Sequence, residues 1–182
     1  MRLFVGIPLE PTVLSELSAA VARLRSGSDA LRWMPPESWH ITLQFLGNAT
    51  AEQYDGLLAR LGEVHAARVP IHLGELGSFD RAGIFFADVA LNPELVALAA
   101  RVASATSHCG FVPETRPFHP HITLARAKGQ SRGQPLHALQ RRIQRRAAFT
   151  PFLASEFLLY ESHLSSAGSA YEVRHHFRIC SK

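Results

Sequence analysis

Short apolar runs of the kind that build strands alternate along this chain with apolar residues at helical spacing. Leu3-Phe4-Val5-Gly6-Ile7, stopped by Pro8, predicts a buried strand over residues 2 to 8. From Pro11 to about Arg25, Leu14, Leu17, Val21 and Leu24 recur at helical spacing with Val13 and Ala20 beside them, and Ser26-Gly27-Ser28 closes the helix. Pro35-Pro36-Glu37-Ser38 then forces an extended approach to a strand through His40-Ile41-Thr42-Leu43, which Gly47-Asn48-Ala49-Thr50 ends. Thr50 and Gln53 have the spacing of a capping box, ahead of a helix running to about Ala67.

The second half replays this order. Ile71 to Phe79 and Ile84 to Leu91 are strand candidates around the turn Asp80-Arg81-Ala82-Gly83. Asn92-Pro93 starts a helix that reaches about His108, because proline suits the first helical position. Pro113 through Pro120 leads, extended again, into His121-Ile122-Thr123-Leu124. Leu136, Leu139, Ile143 and Ala147 recur at helical spacing over residues 134 to 147, and Phe152 to His163 pairs with Tyr171 to Ile179 around Ser165-Ser166-Ala167-Gly168-Ser169. The two His-x-Thr strands lie 81 positions apart, near half the chain. This repetition predicts an α+β fold: a bilobal, pseudo-twofold arrangement of two antiparallel sheets flanked by helices, with the His-Thr strands facing across a central cleft. No linker divides the chain, so one two-lobed domain over residues 1–182 is expected.

With 182 residues, 47% of them hydrophobic, the chain can bury a substantial core without staples. Its two cysteines, Cys109 and Cys180, form no CxxC pair, which fits a reducing compartment and buried thiols. The opening residues are too soon broken by Pro8 for a signal peptide, and no apolar run approaches membrane-spanning length, so a cytoplasmic protein without a membrane partner is expected. The net charge of +4 and pI near 9.6 suit an anionic partner. Much of the excess lies between Arg116 and Arg146, where Arg141, Arg142, Arg145 and Arg146 cover the polar surface of the helix over residues 134 to 147. They form either a solvated face or a phosphate-facing patch.

The chemistry rests on parity. In a strand, His40 and Thr42 point to one face while Ile41 and Leu43 point to the other, and His121 and Thr123 stand likewise against Ile122 and Leu124. Each strand offers one polar pair and one core face. Two imidazoles on opposite sides of a phosphodiester can take a proton from a nucleophile and give one to a leaving oxygen, each transfer supplying roughly 10²–10⁴-fold. The threonine hydroxyls can donate to the non-bridging oxygens.

Taken with their flanks, these motifs resemble the two-histidine phosphoesterase superfamily, and within it the bacterial and archaeal RNA 2′,3′-cyclic phosphodiesterases, also called 2′-5′ RNA ligases. The resemblance rests on residues 2 to 7, on Arg32-Trp33-Met34-Pro35-Pro36-Glu37-Ser38-Trp39-His40-Ile41-Thr42-Leu43-Gln44-Phe45-Leu46-Gly47, on Arg116-Pro117-Phe118-His119-Pro120-His121-Ile122-Thr123-Leu124-Ala125-Arg126, and on Leu159-Tyr160-Glu161-Ser162-His163-Leu164 with Gly168 and Tyr171. It implies hydrolysis of RNA 2′,3′-cyclic phosphate ends to 2′-phosphomonoesters without metal or cofactor, and an ATP-independent 2′-5′ ligation in reverse. It also implies that His121 is the base towards water, that His40 is the acid towards the 3′ oxygen, and that Thr42, Thr123 and Arg126 contact the phosphate. Position 119, often arginine in such proteins, is histidine here.

Two of these residues sit uneasily with parity. Arg126 is an odd number of residues from His121, so it reaches a phosphate only if the strand ends or bulges near Ala125. Phe45, Trp33, Phe118 and Tyr160 are candidates for stacking on a terminal base, with core packing as the other role, and Phe45 shares the parity of Ile41 and Leu43, which sends it to the core. Competing readings are a metal-dependent hydrolase using the His119-x-His121 pair, a non-catalytic module that binds RNA ends, and a superfamily relative acting on other cyclic nucleotide or RNA ends. The eight histidines outside the two motifs lack matching context and are expected at the surface, and the protein is expected to be a monomer.

Overall fold

A computed structural model describes residues 1–27, 30–129, 133–143, 148–165 and 168–179. Chain order is Arg2–Pro8 (β1), Pro11–Leu24 (α1), Leu31–Trp33 (β2), His40–Asn48 (β3), Ala51–Gly62 (α2), Val69–Ile71 (β4), Leu73–Phe79 (β5), Ile84–Val89 (β6), Pro93–Ser107 (α3), His121–Ala127 (β7), Gly133–Gln140 (α4), Phe152–Ala154 (β8), Glu156–Ser165 (β9) and Gly168–Arg178 (β10). Two four-stranded antiparallel sheets, ordered β10-β9-β1-β3 and β2-β7-β6-β5, carry one His-Thr strand each. A small ladder pairs β4 with β8.

Helices α2 and α3 begin where their caps direct them. Thr50 Oγ1 accepts from the Gln53 backbone N–H at 3.2 Å while Gln53 Oε1 accepts from the Thr50 N–H at 3.1 Å, the reciprocal pair that its spacing predicts. Asn92 Oδ1 accepts from the Leu95 N–H at 2.8 Å, with Pro93 at the first helical position. One buried cluster takes Leu3, Val5, Ile7, Ile41 and Leu43 from the first sheet, Leu31, Phe85, Ala87, Ile122 and Leu124 from the second, and the inner faces of all four helices. A separate small cluster of Phe4, Leu158 and Tyr160 sits on the other face of the first sheet, the face that carries His40. β1 is therefore covered on both sides, which is why it reads as an unbroken apolar run.

Several boundaries differ from the sequence reading. β2 is an edge strand of only three residues, too short to leave a periodic signal. The stretch from Ile71 to Phe79 belongs to two strands, because Val69–Ile71 turns away to meet β8 before β5 begins. The helix expected to Ala67 ends at Gly62, and α4 ends at Gln140, with its Arg145 and Arg146, like Cys180, outside the described residues.

Candidate active site

His40 and His121 are held by the same local device. Pro36–Ser38 forms one 3-10 turn instead of the extended approach that its prolines predict, because the Ser38 and Trp39 N–H groups bond back to the Pro35 and Pro36 carbonyls at 2.9 and 3.1 Å. Just beyond it His40 Nδ1 lies 2.8 Å from the Ser38 carbonyl oxygen, two residues back. After Pro120, His121 Nδ1 lies 2.8 Å from the carbonyl oxygen of His119, also two residues back. A carbonyl can only accept, so Nδ1 carries the hydrogen in each ring and the Nε2 lone pair is left for chemistry. Both side chains are half-buried, as are Thr42 and Thr123 on the same faces.

A register shift recurs at matching places in the two strands. Along β1 and β3, Gly6 pairs with Thr42 but Val5 with Gln44, so Leu43 and Gln44 turn inward together. Along β6 and β7, Phe86 pairs with Thr123 but Phe85 with Ala125, so Leu124 and Ala125 are buried together. Each bulge reverses the alternation beyond it. Phe45 and Arg126, five positions after their histidines, are thereby returned to the histidine face. The core position that parity assigns to Phe45 is wrong: its side chain is 69% exposed, with its ring 6.0 Å from that of Phe4. Arg126 has the bulge at Ala125 that its reach requires. Gln44 occupies the extra inward place, its Oε1 accepting from the Thr106 hydroxyl at 2.8 Å.

The two sheets meet where β3 and β7 approach within 8 Å, Cα to Cα. Charge on His121 and on Arg126 reaches His40, and Arg126 acts on His121 as well, so the three groups lie within electrostatic reach of one another across the two sheets. Burial is the largest influence on both rings. It pushes the His40 pKa down to about 4 against the pull of the Ser38 carbonyl, with His121 and Arg126 lowering it further. It lowers that of His121 too, opposed by the His119 carbonyl and by the Asp88 carboxylate.

Sequence reasoning missed the residues that create this burial. The His40 ring lies 4.6 Å from Phe4, 5.4 Å from Tyr160 and 5.2 Å from Tyr171, centroid to centroid. A Cβ at Gly6 would stand 2.9 Å from the Ile41 carbonyl and 3.3 Å from His40 Cδ2, so only glycine lets that ring lie down on β1. His121 has Phe79 at 5.1 Å and Phe86 at 5.5 Å, both edge-on. Beside it His119 Nε2 meets Asp88 Oδ1 at 2.9 Å, and Asp88 is the cross-strand partner of His121 itself. Gly74 makes room for that carboxylate, since a Cβ there would stand 3.2 Å from Asp88 Oδ2.

Of the other stacking candidates, Trp33 packs edge-on against Phe85 at 6.0 Å, Phe118 leans on the core, and Tyr160 is buried beneath Phe4. Among the described residues the group that brings ligand atoms within 4.8 Å of one another is Glu161, His163 and Glu172, not the His119-x-His121 pair. Arg174 already pairs with both of those carboxylates, at 3.3 and 3.4 Å. The eight remaining histidines are all exposed, though His119 is tied into the site.

The family model of the 2′-5′ RNA ligase superfamily matches residues 13–165. A Bacillus subtilis protein named RNA 2′,3′-cyclic phosphodiesterase is 27% identical over 176 residues, spanning 93% of this chain and 92% of its own length. One of the same name from Archaeoglobus fulgidus is 29% identical over 175 residues, 94% of this chain and 97% of its own. The crystal structure of Escherichia coli LigT complexed with 3′-AMP superposes with a TM-score of 0.81 at 25% identity, covering 98% of this chain and 97% of that one.

Proposed function

The chain belongs to the 2′-5′ RNA ligase superfamily, and from that membership and the cleft we propose that it is an RNA 2′,3′-cyclic phosphodiesterase. It opens the cyclic phosphate at an RNA end to a 2′-phosphomonoester. One observation supports the reading most: two sheets each present a histidine whose Nδ1 is tied to the carbonyl two residues back, leaving both Nε2 atoms for one shared cleft.

The cyclic diester sits between the two rings. His121 Nε2 takes a proton as water attacks phosphorus, opposite the departing 3′ oxygen, and His40 Nε2–H gives its proton to that oxygen. A phosphorus–oxygen bond to water forms, the bond to the 3′ oxygen breaks, and solvent exchange resets the two rings. Thr42 and Thr123 donate to the non-bridging oxygens, where negative charge is held through the transition state. Arg126 adds a cation beside both rings, and Phe45, exposed at the corresponding place on the other sheet, stacks on the terminal base.

Burial favours the neutral His40 ring, and the substrate's anionic phosphate favours its protonated form. An RNA 5′-hydroxyl replacing water would make a 2′-5′ linkage without ATP, the ligase direction. The protein works as a cytoplasmic monomer. No helix among the described residues is long and apolar enough to cross a membrane. His40→Ala and His121→Ala are each expected to abolish turnover of a cyclic-phosphate oligonucleotide while near-ultraviolet circular dichroism stays native. Full activity in either variant contradicts the mechanism, and binding by the wild type without turnover leaves a module that holds RNA ends.

A further inference from the structure

Arg32 lies on the edge strand β2 directly opposite Arg126 in the antiparallel register. Directly opposed residues project from the same face of a sheet. The neighbours of Arg32 go the other way: Leu31 is buried in the core and Trp33 packs on Phe85. Arg32 therefore shares the cleft face with Arg126, Thr123 and His121.

Both arginines are half-buried, and no carboxylate among the described residues pairs with either. Elsewhere on this surface arginines do find acids, as Arg60 finds Glu63, Arg116 finds Glu114, and Arg174 finds Glu161 and Glu172. Two like charges set directly across a strand pair repel each other. An anion lying over both removes that repulsion, and paired guanidinium groups match the oxygens of a phosphate. Arg126, within electrostatic reach of both histidines, serves the reacting phosphate from one side. Arg32 stands one strand spacing farther out, about 4.8 Å, and Lys128, exposed two residues beyond Arg126, continues the basic line.

Building on the phosphodiesterase reading, we propose that Arg32 and Arg126 together form a second phosphate subsite, which holds the phosphodiester on the 5′ side of the terminal ribose. The site thereby favours the end of an RNA chain over a cyclic mononucleotide. Arg32 is a binding residue with no part in proton transfer.

The test is equilibrium binding of a dinucleotide that ends in a 2′-phosphate, with its internal linkage either a natural phosphodiester or an uncharged methylphosphonate. The wild type is expected to prefer the charged linkage by about tenfold or more, the range of one charge-assisted contact pair. Arg32→Gln should reduce that preference to less than about twofold, while Arg32→Lys, which keeps the charge without the fork, should retain part of it. No preference in the wild type, an undiminished preference in Arg32→Gln, or equal weakening of both ligands by that variant overturns the subsite. Because binding needs no turnover, these outcomes judge the subsite separately. A wild type that binds the charged ligand in this way but leaves cyclic-phosphate ends intact would sink the catalytic reading alone.

Discussion

Removing His40 from water disfavours its charged form, and this sets how the site responds to pH. An imidazole in water titrates near 6.5, and in the folded protein this one is pushed down to about 4. The difference corresponds to roughly 3 kcal/mol in favour of the neutral ring. Its main source is burial against Phe4, Tyr160 and Tyr171. Since the folded value lies below the unfolded one, the unfolded chain binds the extra proton first. The group costs nothing above pH 6.5 and erodes stability progressively as pH falls from there towards 4. His121 is lowered in the same direction. Both limbs of the kcat/KM profile, which report the free enzyme, are therefore expected on the acid side of 6.5. The kcat profile should move to higher pH, because a bound phosphate favours the imidazolium. The assay is a nuclear magnetic resonance titration of the His40 ring, empty and with a 2′-phosphate nucleotide bound, set beside the two kinetic profiles. A midpoint near 4 that rises by at least about one unit on binding agrees with the structure. A midpoint at or above that of free imidazole in the empty protein would refute the reasoning.

Three further outcomes follow from the same geometry. Thr42→Val and Thr123→Val each remove one donor to the transferring phosphoryl group and should lower kcat about 10²-fold or more with little change in thermal midpoint, read by steady-state kinetics and calorimetry. Phe45→Ala takes away an exposed ring, so unfolding free energy should move by no more than about 0.5 kcal/mol while KM for an RNA end rises, and a large loss of stability would mean that the ring is core after all. Asp88→Asn deletes the carboxylate that holds the His121 pKa up and ties down His119, so the limb belonging to His121 should shift further towards acid, and an alkaline shift would contradict that placement.

Where a short local pattern decides the structure, the chain is legible. Thr50 with Gln53 and Asn92 with Pro93 open helices where those residue types are expected, because a cap is satisfied within four residues. The paired His-x-Thr strands and their proline approaches announce the site for the same reason: the Nδ1 bond closes over two residues. The bulges are another matter. Leu43-Gln44 and Leu124-Ala125 look like ordinary alternation, and only the partner strands β1 and β6 show that two successive residues turn inward. Hence parity sends Phe45 to the core and leaves Arg126 stranded, although both face the cleft. Arg32 and the Asp88–His119 pair depend likewise on cross-strand register, which brings residues dozens of positions apart side by side. Phe4 and Gly6 were hidden for a different reason, since a strand covered on both faces does not reveal which of its residues lies under the catalytic ring.

In the proposed chemistry two imidazoles, without a metal, carry the proton transfers that open a cyclic phosphate from opposite sides. Its most direct measurement is phosphorus nuclear magnetic resonance of an oligonucleotide ending in a 2′,3′-cyclic phosphate, incubated with the protein in the presence of a strong chelator. Conversion to a 2′-phosphomonoester at an undiminished rate is expected. A 3′-phosphate product would reverse the leaving oxygen assigned to His40, and activity that vanishes with the chelator and returns with added metal would contradict the claim itself.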